Sequence, residues 1–391
     1  MPRTISDNCP QCGAPLPPSG PRLTCAYCGA SLVRQEAPPE GEATGTSSWG
    51  VRLKTIVCTD QQGIGTEAFR FLIPAEWEFE GGVHWLLNNP GMPAVIAFRA
   101  YNPQGLEALE VFPNISCTWT NNPMVQMMFP IGSLYFGSEV RPPMPALQAL
   151  RELVIPRYRG GAPSLQIVAQ EHLPDLPRAL QAQSPAAPSV PVQTDGARVR
   201  IRYRIGGQEV EEDIFGVVEV TGFSMPTMMG MVQTIFWMVE YLFSFRAPAG
   251  HLDRLGDLFN SIVRSFRLNP EWFGRYLQVS QFLIQNQIQQ IRHVGEISRI
   301  ISQTSSQISD MMMDTYYRRQ ETMDRLAEQF SQTIRGVDAY YDPFAGQGVE
   351  LPGGYRYAWA TPLGEYILTD DPNFNPNIGS TQTWERMERK T

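Results

Sequence analysis

The segment RVRIRYRIGGQEVEEDIF, residues 198–215, decides the architecture of the central part of this chain. Val199, Ile201, Tyr203 and Ile205 alternate with Arg198, Arg200, Arg202 and Arg204, and Val210 and Ile214 alternate with acids on the far side of Gly206-Gly207. A period of two with one apolar face predicts strands lying on a core, and a Gly-Gly pair supplies the positive backbone torsions of a two-residue hairpin turn. With Ile205 opposite Gln208, Arg204 meets Glu209, Arg202 meets Glu211 and Arg200 meets Asp213. Each such pair contributes about 0.2–1 kcal/mol. The arginine stripe taken alone looks like an anion-binding surface, but its partner strand neutralises it. A solvated, paired sheet face is the favoured reading.

Working outward, Val51 to Val57, Phe69 to Ile73, Val95 to Tyr101 and Glu107 to Phe112 read as short strands. PALQALRELVI (145–155) reads as a helix with proline in its first turn, and HLDRLGDLFNSIVRSF (251–266) as a helix with one buried stripe. The apolar run from Met225 to Phe245 is interrupted by Pro226, Gln233 and Glu240, and Trp237, Val239, Tyr241, Phe243 and Phe245 alternate onto one side. That period favours a buried strand over a membrane-spanning helix. The expected fold class is α+β: an N-terminal zinc ribbon (1–34), a linker (35–48), a central antiparallel-sheet α/β sandwich (49–268), a long Gln-rich amphipathic helix (269–336) and a small aromatic β-unit (337–391).

The ribbon rests on CPQCG and CAYCG. Cys9, Cys12, Cys25 and Cys28 form two C-x2-C pairs, each followed by glycine. Four thiolates at this spacing suit a structural Zn2+ with no open coordination position, so the metal is expected to fold the module rather than catalyse. A redox reading of each pair is weaker without a surrounding βαβ pattern. Cys58 and Cys117 are left over and are expected as buried apolar thiols rather than a disulfide.

Between Glu271 and Gly336 no breaker interrupts the helical pattern; Ile284, Ile288 and Ile291 keep a 4-3 step, Ile297, Ile301 and Ile308 resume it, and Met312, Tyr316, Met323, Leu326, Phe330 and Ile334 carry it on after a shift near Met311 to Tyr316. This predicts a coiled-coil seam. So long a helix must fold back near Gly295 or Ser305-Ser306, pack on its own domain or pair with another chain. Pairing, as a homo-oligomer or with a protein partner, is favoured.

Three segments carry resemblances. IFWMVEYLFSFRAP (235–248) followed by AGHLDRLGDLFNSIVRSFRL (249–268) resembles the closing strand and helix of PsbP-like α/β/α sandwiches, and FRFLIPAEWEFEGG (69–82) resembles their opening strand and turn. That resemblance implies binding and assembly roles. NPEWFGRYLQ (269–278) and ELPGGYRYAWATPLGEYILTDDPNFNPN (350–377), with the helical stretch between, resemble the C-terminal half of an uncharacterised bacterial protein family, which supplies no catalytic residues.

Chemistry is sparse. A net charge of −8 argues against general nucleic-acid binding. His84, His172, His251 and His293 have no Cys, Asp or Glu at ligand spacing. Gly63-x-Gly65-x-x-Ala68 mimics a dinucleotide fingerprint, but FRFLIP follows as strand where a helix is needed. Asp370, Asp371, Asn373, Asn375 and Asn377 lack the closing glutamate of a calcium loop. The methionine groups Met124/Met127/Met128, Met225/Met228/Met229/Met231 and Met311/Met312/Met313 fit protein contact better than copper. The expected function is therefore a non-enzymatic cytoplasmic scaffold or adaptor. The alternative is an enzyme whose pocket lies between sandwich and helix near His84 and Trp85. A weaker third reading is a membrane-peripheral protein using 225–245.

Overall fold

The computed structural model describes residues 22–24, 31–33, 50–173, 193–227, 230–286, 288, 290–293, 295–303, 310–331 and 337–390. The chain divides into two compact units, Met1–Ser47 and Ser48–Thr391. In the first, Arg22–Thr24 pairs antiparallel with Ser31–Val33. Cys9, Cys12, Cys25 and Cys28 lie outside the described residues, as do the linker, Met228 and Met229.

The second unit is built mainly of strand. Its large sheet runs in the order Gln166–His172, Gln193–Ile205, Gln208–Thr227, Gly230–Pro248, Ala108–Val111, Ala94–Tyr101, Glu78–Trp85. Ile115–Thr120 also pairs with Gly230–Pro248, further along that long strand. The hairpin has the register read from its sequence, with Arg204 opposite Glu209, Arg202 opposite Glu211 and Arg200 opposite Asp213. Arg200 Nε lies 2.8 Å from Asp213 Oδ1, and Arg202 Nη2 lies 2.7 Å from Glu211 Oε1. On the opposite face Val199, Ile201, Val210 and Ile214 pack against Ala146, Ala149, Leu150 and Leu153 of the helical segment 146–159. Glu212 is buried there too. Arg159 grips it through Nε at 2.7 Å and Nη2 at 2.6 Å, and Tyr203 Oη donates to it at 2.8 Å.

A second sheet, Arg267–Leu268, Glu67–Pro74, Val51–Thr59, Glu365–Thr369, Tyr357–Ala360, Glu385–Arg386, is joined to the first by an aromatic core. Phe71 of one sheet meets Phe98 of the other at 4.7 Å, and Phe245 stacks on Phe259 of the helix Gly256–Ser265 at 4.6 Å. Cys58 and Cys117 are buried free thiols.

Three expectations require correction. The fold is not α+β with a sandwich followed by a long helix: strand makes up 45% of the described residues against 24% helix, so it is mostly β. The helix expected over 269–336 is broken into Pro270–Gln285, Gly295–Gln303 and Asp310–Ser331. Asn286 stops the first piece by turning both its backbone N–H (3.0 Å) and its side-chain amide (2.8 Å) onto the Phe282 carbonyl. The chain then folds back, and Ile291, Ile297 and Ile300 bury themselves on Val279 and Leu283. Among the described residues this part of the apolar seam is buried within the chain, while Ile284 stays exposed. The aromatic tail is divided: Val337–Asp342, Gln347–Pro352 and Glu388–Arg389 form a three-stranded sheet of their own, but the rest of its strands join the second sheet. Glu365–Thr369 hydrogen-bonds along Val51–Thr59 and so completes the second sheet.

One finer expectation also changes. Trp237, Val239, Tyr241, Phe243 and Phe245 do not share a face. The register of Gly230–Pro248 shifts where Tyr241 and Leu242 oppose the single residue Gly216. This bulge exchanges the faces. Trp237, Val239 and Leu242 point toward the helical segment 146–159, and Tyr241, Phe243 and Phe245 toward the aromatic core.

Candidate functional site

Among the described residues, the hairpin Gln208–Thr227/Gly230–Pro248 outruns its neighbours, which reach Val220 on one side, through Gln193, and Thr234 on the other, through Thr120. Beyond them Thr221–Thr227 and Gly230–Gln233 pair with each other as a projecting spur. Phe223, Met225 and Phe236 alternate onto one face of this spur and are exposed, with the two phenylalanine rings 6.2 Å apart. Met231 is 59% exposed on the other face.

A segment more than 90 residues earlier in the chain is tied to the spur. The Asn121 side chain accepts from Gln233 N at 2.8 Å and donates to the Met231 carbonyl at 3.1 Å, mimicking one more rung of ladder. The next residue, Asn122, caps the short helix Pro123–Met128 by accepting from Met124 N at 3.0 Å. That helix buries none of its residues, and its Met127 is 80% exposed. Ile131, Leu134 and Phe136 follow, also exposed. Met124, Met127 and Met128 of one methionine group thus follow closely on Asn121, which is hydrogen-bonded to Met231 of another. No charged residue occurs in 120–138 or in 220–239. An exposed apolar surface of this kind marks a contact site, and flexible methionine side chains adapt to the surface they meet.

At the root of the spur the outward face becomes covered by the helices Pro270–Gln285 and Asp310–Ser331, and an ionic cluster sits beneath them. Arg319 Nη2 donates to the buried Glu240 at 2.9 Å, and its guanidinium lies 5.7 Å from the ring centres of both Tyr241 and Phe273. Burial, and then the charge of Glu240, push the nearby Glu219 carboxyl up to about 7, against the pull of Arg319 and Arg318. Burial also raises the Tyr241 phenol. Tyr241 adopts a φ of 50°, a left-handed conformation uncommon outside glycine, and strain of this kind collects at functional sites. Beside the cluster lies a cavity of about 290 Å³ between the large sheet and the two helices. Sequence reasoning missed Glu219, Glu240 and Arg319 as a group. The available signal was Glu240 itself, a lone acid inside an apolar strand, which needs a buried partner.

The other sequence candidates are dispersed. His84 is exposed on Glu78–Trp85, and neither it nor Trp85 lines the cavity. Gly63 and Gly65 belong to a turn before the strand Glu67–Pro74, where Asp60 accepts from Gly63 N at 2.9 Å and Ile64 N at 3.0 Å. Asp60 also receives the indole N–H groups of Trp272 at 2.9 Å and Trp85 at 3.2 Å, which fastens a helix to the second sheet. Asp370 and Asp371 accept from the backbone N–H groups of Arg356 and Asn373, the work of turn residues. Among the described residues no cluster of His, Cys, Asp or Glu is arranged to hold a metal, and no helix is long and apolar enough to cross a membrane. No family model, curated protein or solved structure matches the chain.

Proposed function

We propose that this chain is a non-enzymatic cytoplasmic adaptor that docks on an apolar protein surface through its methionine-rich spur. The observation that carries the reading is the convergence of two uncharged, exposed apolar segments, 123–136 and 221–236, on one projection held by Asn121. A protein partner fits better than a membrane, because the surface has no lysine or arginine to meet anionic headgroups. The N-terminal unit contributes a Zn2+ module through Cys9, Cys12, Cys25 and Cys28. Its support is that Cys25 and Cys28 fall in the connection between the paired strands Arg22–Thr24 and Ser31–Val33, where a zinc knuckle belongs. Nothing favours an enzyme centred on His84, an exposed side chain away from the cavity.

The test is photocrosslinking in cells from benzoylphenylalanine placed at Met127 or at Met225. A single protein adduct of the same mass from both positions, abolished by Met231→Asp, supports the adaptor reading. Adducts to lipid alone, or no adduct from either position, overturn it.

A further inference from the structure

The cavity at the root of the spur has a chemistry of its own. Val95, Ile96, Phe243, Trp272, Leu277 and Met323 give it apolar and aromatic walls. Arg319 is the only charged side chain among the described residues that line it. Glu240 fixes that guanidinium from behind, Tyr241 and Phe273 flank it, and 36% of the arginine side chain remains accessible. A largely apolar pocket with one oriented polar group is the usual form of a small-molecule site. The volume of about 290 Å³ is roughly twice that of a cavity known to hold benzene.

We propose that this cavity binds a medium-chain, monocarboxylic amphipathic acid, with the carboxylate on Arg319 and the hydrocarbon among the aromatic walls. The lining selects the class. A cationic head would face Arg319 with no acid among the described lining residues to receive it. A neutral alcohol forgoes the charge-assisted bond that a guanidinium forms with a carboxylate. Glu240 already shares the guanidinium, so every further negative charge in this apolar enclosure is costly, and an organic phosphate brings up to two where a monocarboxylate brings one.

Isothermal titration of the full chain with decanoate, decanol and decyltrimethylammonium tests this. Decanoate is expected to bind at one site per chain and about tenfold or more tighter than decanol, the scale of one charge-assisted hydrogen bond. The ammonium compound is expected not to compete. Arg319→Gln endangers the fold by stranding Glu240, so the blocking variant is Leu277→Trp, which fills the cavity and leaves the ion pair alone. A decanoate analogue with a terminal diazirine supplies a second reading in the unaltered protein, and is expected to label peptides containing 92–96 or 272–280. Equal binding of decanol, competition by the ammonium compound, labelling elsewhere, unchanged affinity in a folded Leu277→Trp protein, or no saturation by decanoate each overturns the assignment.

Discussion

Arg319 and Glu240 are 79 residues apart, yet Arg319 Nη2 and Glu240 Oε2 meet at 2.9 Å beneath the root of the spur. This pair joins the helix Asp310–Ser331 to the central strand, and it depends on the bulge at Tyr241–Leu242 that keeps Glu240 on the helix-covered face. Removing either partner leaves the other without its match. Arg319→Met is expected to cost about 2–3 kcal/mol, somewhat below a fully enclosed pair because the arginine retains access to water. The double variant Arg319→Met/Glu240→Met is expected to recover part of that loss. Urea denaturation of the three proteins measures both effects.

Stability is expected to fall as pH rises from about 5 to 8. Glu219 has its folded pKa pushed up to about 7, well above the ordinary carboxylate range, so the folded form holds its proton more tightly than the unfolded chain. The associated stability is complete below the unfolded value and is lost as pH climbs through the folded one. Glu240 and Tyr241 on the neighbouring strand and Arg318 and Arg319 on the covering helix face this group. The change is on the order of 1–3 kcal/mol. Denaturation midpoints between pH 5 and pH 8 report it, and Glu219→Gln should flatten the profile.

Asp60 is a stronger anchor than any surface ion pair. It accepts four hydrogen bonds, two of them from the indoles of Trp85 and Trp272. Asp60→Ala strands those donors and is expected to cost about 3 kcal/mol or more. Gly63→Ala is expected to be damaging as well, since an added Cβ would lie 2.0 Å from Trp85 Nε1. Thermal unfolding followed by tryptophan fluorescence measures both.

The two faces of the hairpin should respond very differently to loss of charge. Arg204→Ala breaks an exposed 3.3 Å pair and is expected to change stability by less than about 0.5 kcal/mol. Glu212→Ala empties the buried partner of Arg159, Tyr203 and Ser244 and is expected to cost about 3–5 kcal/mol.

Metal analysis of the full chain is expected to find about one Zn2+ per molecule, held by Cys9, Cys12, Cys25 and Cys28. Cys12→Ser should release it, as the same metal analysis would show.

The hairpin was legible because its register is written locally: Gly206-Gly207 fixes the turn, and complementary charges confirm every second rung. The strands read at Val51 to Val57 and Val95 to Tyr101 likewise fall on Val51–Thr59 and Ala94–Tyr101. The long helix misled because isoleucines at steps of three and four suit a seam between chains and a seam within one equally well. What ends the first helix is Asn286, whose capping role depends on a turn the pattern does not encode. The face exchange at Tyr241 was invisible for a similar reason. A bulge is one extra residue, and unbroken alternation on paper becomes two opposed faces in space. The Glu219–Glu240–Arg319 cluster was illegible as a group because its members come from three distant segments, while the methionine groups were visible in sequence and only the link through Asn121 was not.

The ladder between Val51–Thr59 and Glu365–Thr369 has a consequence for biosynthesis. A ribosome that has made the first of these strands must still add roughly 300 residues before its partner exists. Until then one flank of the second sheet presents bare amides and carbonyls to every neighbouring nascent chain. Such wide sequence separation slows closure of the sheet, so newly made protein is expected to lean on chaperones and to be at its most vulnerable until residues 365–369 have emerged.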